Sequence, residues 1–230
     1  MKITTLNLRH GGASRISALG DWLEGTQSDA IVCTEFRNGA SGDQLAKRLG
    51  RAGYVHQFSA SRARALNTVC IFSRQPAQIL PTTLPPEEQH RLVVVRLDGL
   101  TLAGTYFSQL KAKLPLFRYL LSRPKELEGT ATLMGDFNTG LHHVDEAGAT
   151  FHCAAEFGRL SDQGWVDAWR LRHGDERAFS WHSNMGNGFR IDHAFVSSDL
   201  AGRVVAAEYD QAPRHGLTSH AALTLDLGSE

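Results

Sequence analysis

Three apolar runs in this chain end on an acid or an amide: "KITTLN" stops at Asn7, "AIVCTE" at Glu35, and "TLMGDFN" at Asp136 and Asn138. Turns favour Gly, Asp and Asn, so any one of these endings reads equally well as a turn. Three endings of the same kind restrict the fold further. Ligands of α/β sheets bind in the crevice beyond the carboxyl ends of strands, so the pattern predicts one rim where these four side chains meet. In the last run, alternation along an extended chain points Asp136 and Asn138 the same way and turns Phe137 back into protein.

Apolar alternation or short apolar runs predict strands over residues 2–7, 30–35, 54–58, 67–73, 92–97, 100–107, 131–136, 178–182, 190–196, 203–209 and 221–227. Ser14 is positioned to cap a helix that places Ile16, Leu19 and Leu23 on one face; residues 43–50 repeat this with Leu45 and Leu49. Pro115 suits the first turn of a third helix, and residues 152–163 form a fourth ending at Gly164. "LPTTLPPEEQH" reads as a loop. Helix-linked strands early and hairpin-like strands later predict a mixed α/β layer structure.

No Pro-, Gly- or Ser-rich linker divides the 230 residues, which with 42% hydrophobic content suit one domain over 1–230. Lys plus Arg equals Asp plus Glu at 24 each, which argues against a strongly basic protein that coats nucleic acid but leaves room for a local basic groove. Cys33, Cys70 and Cys153 are unpaired by spacing, and two lie in apolar runs, as in a reducing compartment. With no signal-type start and no run of transmembrane length, the expectation is a cytoplasmic monomer without membrane contact.

Two further segments add chemistry. "FRIDHAFVSS" puts Asp192 and His193 on one strand, facing opposite ways, so only Asp192 is assigned to the rim; "GLTSHAALTLDL" puts His220 just before the last strand. Oxygen ligands for a hard cation, with a carboxylate that orients an imidazole, suffice for metal-assisted hydrolysis of a phosphate ester. In that reading Glu35 is the ligand of Mg²⁺ or Mn²⁺, and Asp136 activates water. Asn7 and Asn138 hold the nucleophile or complete the metal's shell, and His220 faces the phosphate with Asp192 behind it. Arg37, Arg62, Arg64, Lys111, Lys113 and Arg190 fall in or beside loops bordering the rim, where they would contact phosphates, although a solvated loop charge explains any single one. Trp181 is either a stacking platform or core. His142 and His143 lack further ligands at sensible spacing and read as surface residues.

With these residues assigned, the chain resembles the endonuclease/exonuclease/phosphatase superfamily, in its exonuclease III and AP endonuclease-like branch. "LNLRHGG", "VCTEFR", "GTYFSQ", "LMGDFN" and "FRIDHAFVSS" are similar, in order, to that family's motifs. The resemblance implies a four-layer αββα sandwich, two mixed sheets face to face with helices outside. It also implies divalent-metal-dependent cleavage of phosphate esters, nucleic acid as substrate with DNA favoured over RNA, and a phosphate-contacting role for Tyr106. Two departures stand out. The family's final motif is usually Ser-Asp-His, whereas this chain has Thr218-Ser219-His220, which favours a single-metal mechanism. The segment after Tyr106 is short for an exonuclease III-type enzyme, which counts against an AP-site-specific activity. The alternatives are a phosphatase of small or lipid-headgroup esters and an attenuated nucleic-acid-binding relative.

Overall fold

The computed structural model describes residues 1–229. Its strands are β1 (Lys2–Asn7), β2 (Ala30–Phe36), β3 (His56–Ser59), β4 (Thr68–Ser73), β5 (Ala77–Leu80), β6 (Leu92–Leu97), β7 (Leu100–Tyr106), β8 (Ala131–Asp136), β9 (Trp165–Asp167), β10 (Trp181–His182), β11 (Gly188–Phe189), β12 (Asp192–Ser197), β13 (Val204–Asp210) and β14 (Ala222–Leu227). Its helices are α1 (Ile16–Gly25), α2 (Ala40–Arg51), α3 (Leu114–Leu121), α4 (Ala154–Gly158) and α5 (Ala168–His173).

One six-stranded sheet runs β13-β14-β1-β2-β4-β3, the other β5-β6-β7-β8-β12-β9, and β10 and β11 form a separate hairpin. Each sheet is antiparallel except for one central parallel pair, β1 with β2 and β7 with β8. The sheets face each other through Ile3, Val32, Val69, Ile71, Leu223 and Leu225 on one side and Val93, Val95, Leu102, Met134, Ala194 and Val196 on the other. Gly104 lies at a tight point of this interface, where a Cβ would stand 2.8 Å from the Val32 side chain. Outside the first sheet, α1 and α2 bury Leu19, Leu23, Leu45 and Leu49 against Ile31, Cys33 and Phe72. Outside the second, α3 and α4 bury Leu116, Phe117, Leu120 and Phe157 against Leu133 and Phe195. The mixed α/β sandwich predicted from the sequence is therefore the fold.

The differences are local. Ser14 caps nothing, because it lies inside a 3-10 turn over Ala13–Arg15 that precedes α1. The helix expected over 152–163 breaks into α4 and a 3-10 turn at Ser161–Gln163, stopped by Gly164 at φ +82°. Strand 178–182 shrinks to β10, and 190–196 begins only at Asp192. The short elements β5, β9, β11 and α5 were not expected. For α5 the cue was Asp167, whose Oδ1 accepts from Trp169 N and Arg170 N and starts the helix. Among the described residues no helix is long and apolar enough to cross a membrane.

Candidate active site

The inward-facing rows of both sheets end on polar groups. Along β7 the row Leu100, Leu102, Gly104 ends at Tyr106; along β8 Met134 is followed by Asp136; along β12 Asp192 precedes Ala194. Register places Tyr106 opposite Asp136 and Asp136 opposite Asp192, so the three share one face of the second sheet. Asn7 continues the inward row of β1 and reaches across: its Nδ2 donates to Asp136 Oδ2 at 2.9 Å and to Glu35 Oε1 at 3.1 Å. One amide thus ties together carboxylates from both sheets.

Gly135 makes the position of Asp136 possible. It has φ +147°, and a Cβ there would lie 1.9 Å from Thr105 O, so only glycine lets β8 approach β7 this closely. Phe137 then turns outward onto Phe107, with ring centroids 4.8 Å apart, as alternation predicts. Asn138, at φ +50°, curls back: its N donates to Asp136 Oδ1 at 2.8 Å and its Nδ2 to Phe107 O at 2.9 Å.

Glu35 reaches the rim by a different route. The β2–β4 register shifts between Cys33 and Phe36, and Glu35 adopts φ +49° within that bulge. Its Oε2 accepts from His10 N at 2.8 Å and Asn67 Nδ2 at 3.0 Å. Asn67 is in turn fixed by Arg37, whose Nε donates to Asn67 Oδ1 at 2.6 Å. Asn67 and His10 were not picked out from the sequence. Asn67 stands just before β4, which runs antiparallel to β2 and so begins at the same rim where β2 ends.

On the opposite side His220 Nδ1 lies 2.8 Å from Asp192 Oδ2, which leaves Nε2 for a substrate. Ser180 Oγ accepts from the backbone N of Ile191 and of Asp192, each at 3.0 Å, and the Tyr209 hydroxyl donates to Asp192 O, so Asp192 is held on three sides. His193 faces away, as expected, into Phe137, Phe157 and Phe195, with Nε2 2.9 Å from Thr139 O.

The charges are poorly compensated. Burial, then Asp192, pushes the Asp136 carboxyl up to about 7, against the pull of His220. Burial alone would lower His220, but Asp192 and then Asp136 hold it up at about 9. Burial, then Glu35 and Asp136, raises the Tyr106 phenol, which therefore stays an O–H donor. Asp136, Asp192 and His220 bring one ligand atom each within 4.8 Å of one another. The Asp192–His220 bond occupies facing atoms of that pair, while Glu35 joins the group through the Asn7 amide that it shares with Asp136. Hard oxygen donors crowded in this way, one with a raised pKa, fit a divalent cation, which would relieve their repulsion.

The basic residues divide. Arg37 sits at the rim through Asn67, and Arg62, Arg64 and Lys111 are exposed, their side chains in no hydrogen bond or ion pair among the described residues. Arg190 does not belong with them. It is fully buried, with Nε 2.7 Å from Asp145 and Nη2 2.6 Å from Asp167, so its charge is spent on packing the segment before β12 and none of it faces the rim. Lys113 is also buried, its ammonium donating to Asn138 O; burial lowers it to about 8 although Asp136 pulls it up. Trp181 lines a cavity of about 260 Å³ with Lys113, Asn138, Phe151, Phe189 and Ile191, beside the rim, and its backbone bridges to His220. Of the paired histidines, His143 is exposed while His142 Nε2 lies 2.9 Å from Phe151 O.

The profile of the endonuclease/exonuclease/phosphatase family matches residues 4–219, nearly the whole chain and every rim residue except His220. The chain belongs to that family. Members use divalent metals, and this chain is, like them, a hydrolase of phosphoric esters. No curated protein sequence matches it. Among solved structures it is similar to an AP endonuclease from Archaeoglobus fulgidus (TM-score 0.86, 22% identity). It is similar too to the 3′–5′ exonuclease NExo from Neisseria meningitidis (0.84, 23%) and to a Neisseria 3′ phosphatase bound to a product DNA hairpin (0.82, 22%). Each of these comparisons covers 100% of both chains. At that identity they establish a shared fold.

Proposed function

We propose that this family member is a divalent-metal-dependent phosphodiesterase of nucleic acid, with DNA favoured over RNA, acting as a single cytoplasmic domain. The observation that carries the reading is the shared Asn7 amide, which sets Glu35 and Asp136 side by side while His220, backed by Asp192, stands across from them. A divalent cation bound there, Mg²⁺ or Mn²⁺, would neutralise phosphate oxygens and ease deprotonation of water.

The chain's own residues supply the rest. Glu35 and, through its Oδ1, Asn7 would hold the cation. Asp136, raised toward neutrality, takes the proton of the attacking water, and Asn138 N keeps its carboxylate aimed. His220 Nε2 and the Tyr106 hydroxyl donate to the phosphate as charge builds on it, with Asp192 fixing the imidazole's orientation. Arg37, Arg62, Arg64 and Lys111 are left to meet flanking phosphates, and Trp181 to stack on a base or sugar in the adjoining cavity. The similar DNA-acting structures support the choice of substrate.

The test is a substrate panel with metal present: abasic duplex, single-stranded DNA, 3′-phosphorylated DNA and a simple phosphate ester. Cleavage of a DNA substrate is expected. Hydrolysis of simple esters alone would leave a phosphatase, and DNA binding without hydrolysis, unrescued by Ser219→Asp, would leave a binding protein.

A further inference from the structure

Resting on the assignment of Glu35 as the cation's carboxylate, we propose that His10 is a further ligand of that cation and biases the site toward Mn²⁺ over Mg²⁺. Arg9, His10, Gly11, Gly12 and Ala13 all have φ between +44° and +74°. Five consecutive left-handed residues are unfavourable wherever a side chain is present, so surrounding bonds must enforce the loop. They do so through Glu35: His10 N donates to its Oε2 and Gly11 N to its backbone O, each at 2.8 Å. The loop's effect is to set His10 Nδ1 3.1 Å from Glu35 Oε2 while 65% of the side chain stays exposed.

An imidazole that is mostly in solvent contributes little packing to offset such a loop. Arg37 Nη2 and Asn67 Nδ2 each lie 3.3 Å from His10 Nδ1 and Glu35 Oε2 lies 3.1 Å from it, so that nitrogen faces two donors as well as the carboxylate. With Nδ1 in its lone-pair tautomer, that nitrogen and Glu35 Oε2, 3.1 Å apart, would match adjacent corners of a shell with bonds of about 2.1 Å. Mg²⁺ takes oxygen ligands and keeps its waters, whereas first-row transition ions accept imidazole readily.

The test is metal binding, read without turnover. Mn²⁺ and Mg²⁺ are titrated calorimetrically into wild type, Glu35→Ala, His10→Asn and His10→Gln, and the Mn²⁺ complexes are examined by pulsed EPR for ¹⁴N coupling. Asn tolerates the left-handed backbone, and thermal melts confirm that each variant is folded. Expected are a ¹⁴N coupling lost in both His10 variants but retained in His220→Asn, and a Mn²⁺:Mg²⁺ affinity ratio that falls by about tenfold or more. An unchanged ratio and coupling in the His10 variants, with binding lost in Glu35→Ala, would overturn the role of His10 and leave the metal assignment standing. Binding of neither ion by wild type would overturn both.

Discussion

Asn7 and Asp136, 129 residues apart in sequence, are joined by a 2.9 Å hydrogen bond that crosses from one sheet to the other at the rim of the sandwich. The same amide nitrogen serves Glu35, so Asn7 is the piece that makes two carboxylates into one site. Asn7→Asp replaces a shared donor with a third negative charge. Hydrolysis is expected to fall by about a hundredfold or more, and the melting temperature of the metal-free protein to drop, with divalent ion restoring part of it. Steady-state kinetics and melts with and without metal check this.

The Asp136 carboxyl is raised from 3.8 to about 7 by burial and Asp192, so between those pH values the metal-free folded state holds a proton that the unfolded chain has released. Its contribution to stability is full below about pH 4 and is lost as pH rises through 7. Denaturant melts of metal-free wild type against Asp136→Asn should therefore converge at low pH and diverge toward neutrality, the variant being the flatter of the two. A cation held on Glu35 beside Asp136 disfavours that proton, so metal affinity should climb over the same interval.

His220 is held up at about 9 by Asp192 against its own burial. In Asp192→Asn burial prevails and the imidazole loses its proton at lower pH. Turnover should fall about a hundredfold or more, and the alkaline limb of the pH–rate profile should move toward acid. A profile that keeps its shape would show that His220 is not the proton-bearing group.

Gly135→Ala drives a methyl group into the carbonyl of Thr105, at a φ that L-residues rarely adopt. Loss of about 2 kcal/mol or more is expected in equilibrium unfolding, together with loss of activity as Asp136 shifts. The neighbouring Gly129→Ala, with open space around it but φ +79°, should cost less and leave hydrolysis intact.

Arg190 and the exposed arginines should separate cleanly. Arg190→Met removes the cation that Asp167 pairs with and leaves Asp145 to Arg170 alone, and should destabilise the fold by about 3 kcal/mol. Arg62→Ala and Arg64→Ala should leave stability unchanged while raising KM for oligonucleotides and flattening its dependence on salt.

The strand-end pattern was enough to find Asp136, and alternation alone separated Asp192 from His193, because both lie on regular strands with the core on a fixed side. Glu35 is a different case. Alternation from Val32 puts it beside Ile31 and Cys33, toward the helices, and only the bulge before Phe36 turns it to the rim. No local pattern announces that bulge. Arg190 looked like a rim cation because its partners, Asp145 and Asp167, come from segments 45 and 23 residues away. Its burial is a tertiary fact. Asn67 was legible in principle, at the start of a strand antiparallel to β2, but only once strand order was known.

The central claim, one divalent ion between Glu35 and Asp136, is tested most directly by soaking crystals in Mn²⁺ and collecting anomalous diffraction. A peak is expected within bonding distance of the Glu35 carboxylate and beside Asp136, absent from Glu35→Ala crystals. A fully soaked crystal with no peak there, or with Mn²⁺ bound only elsewhere, would contradict it.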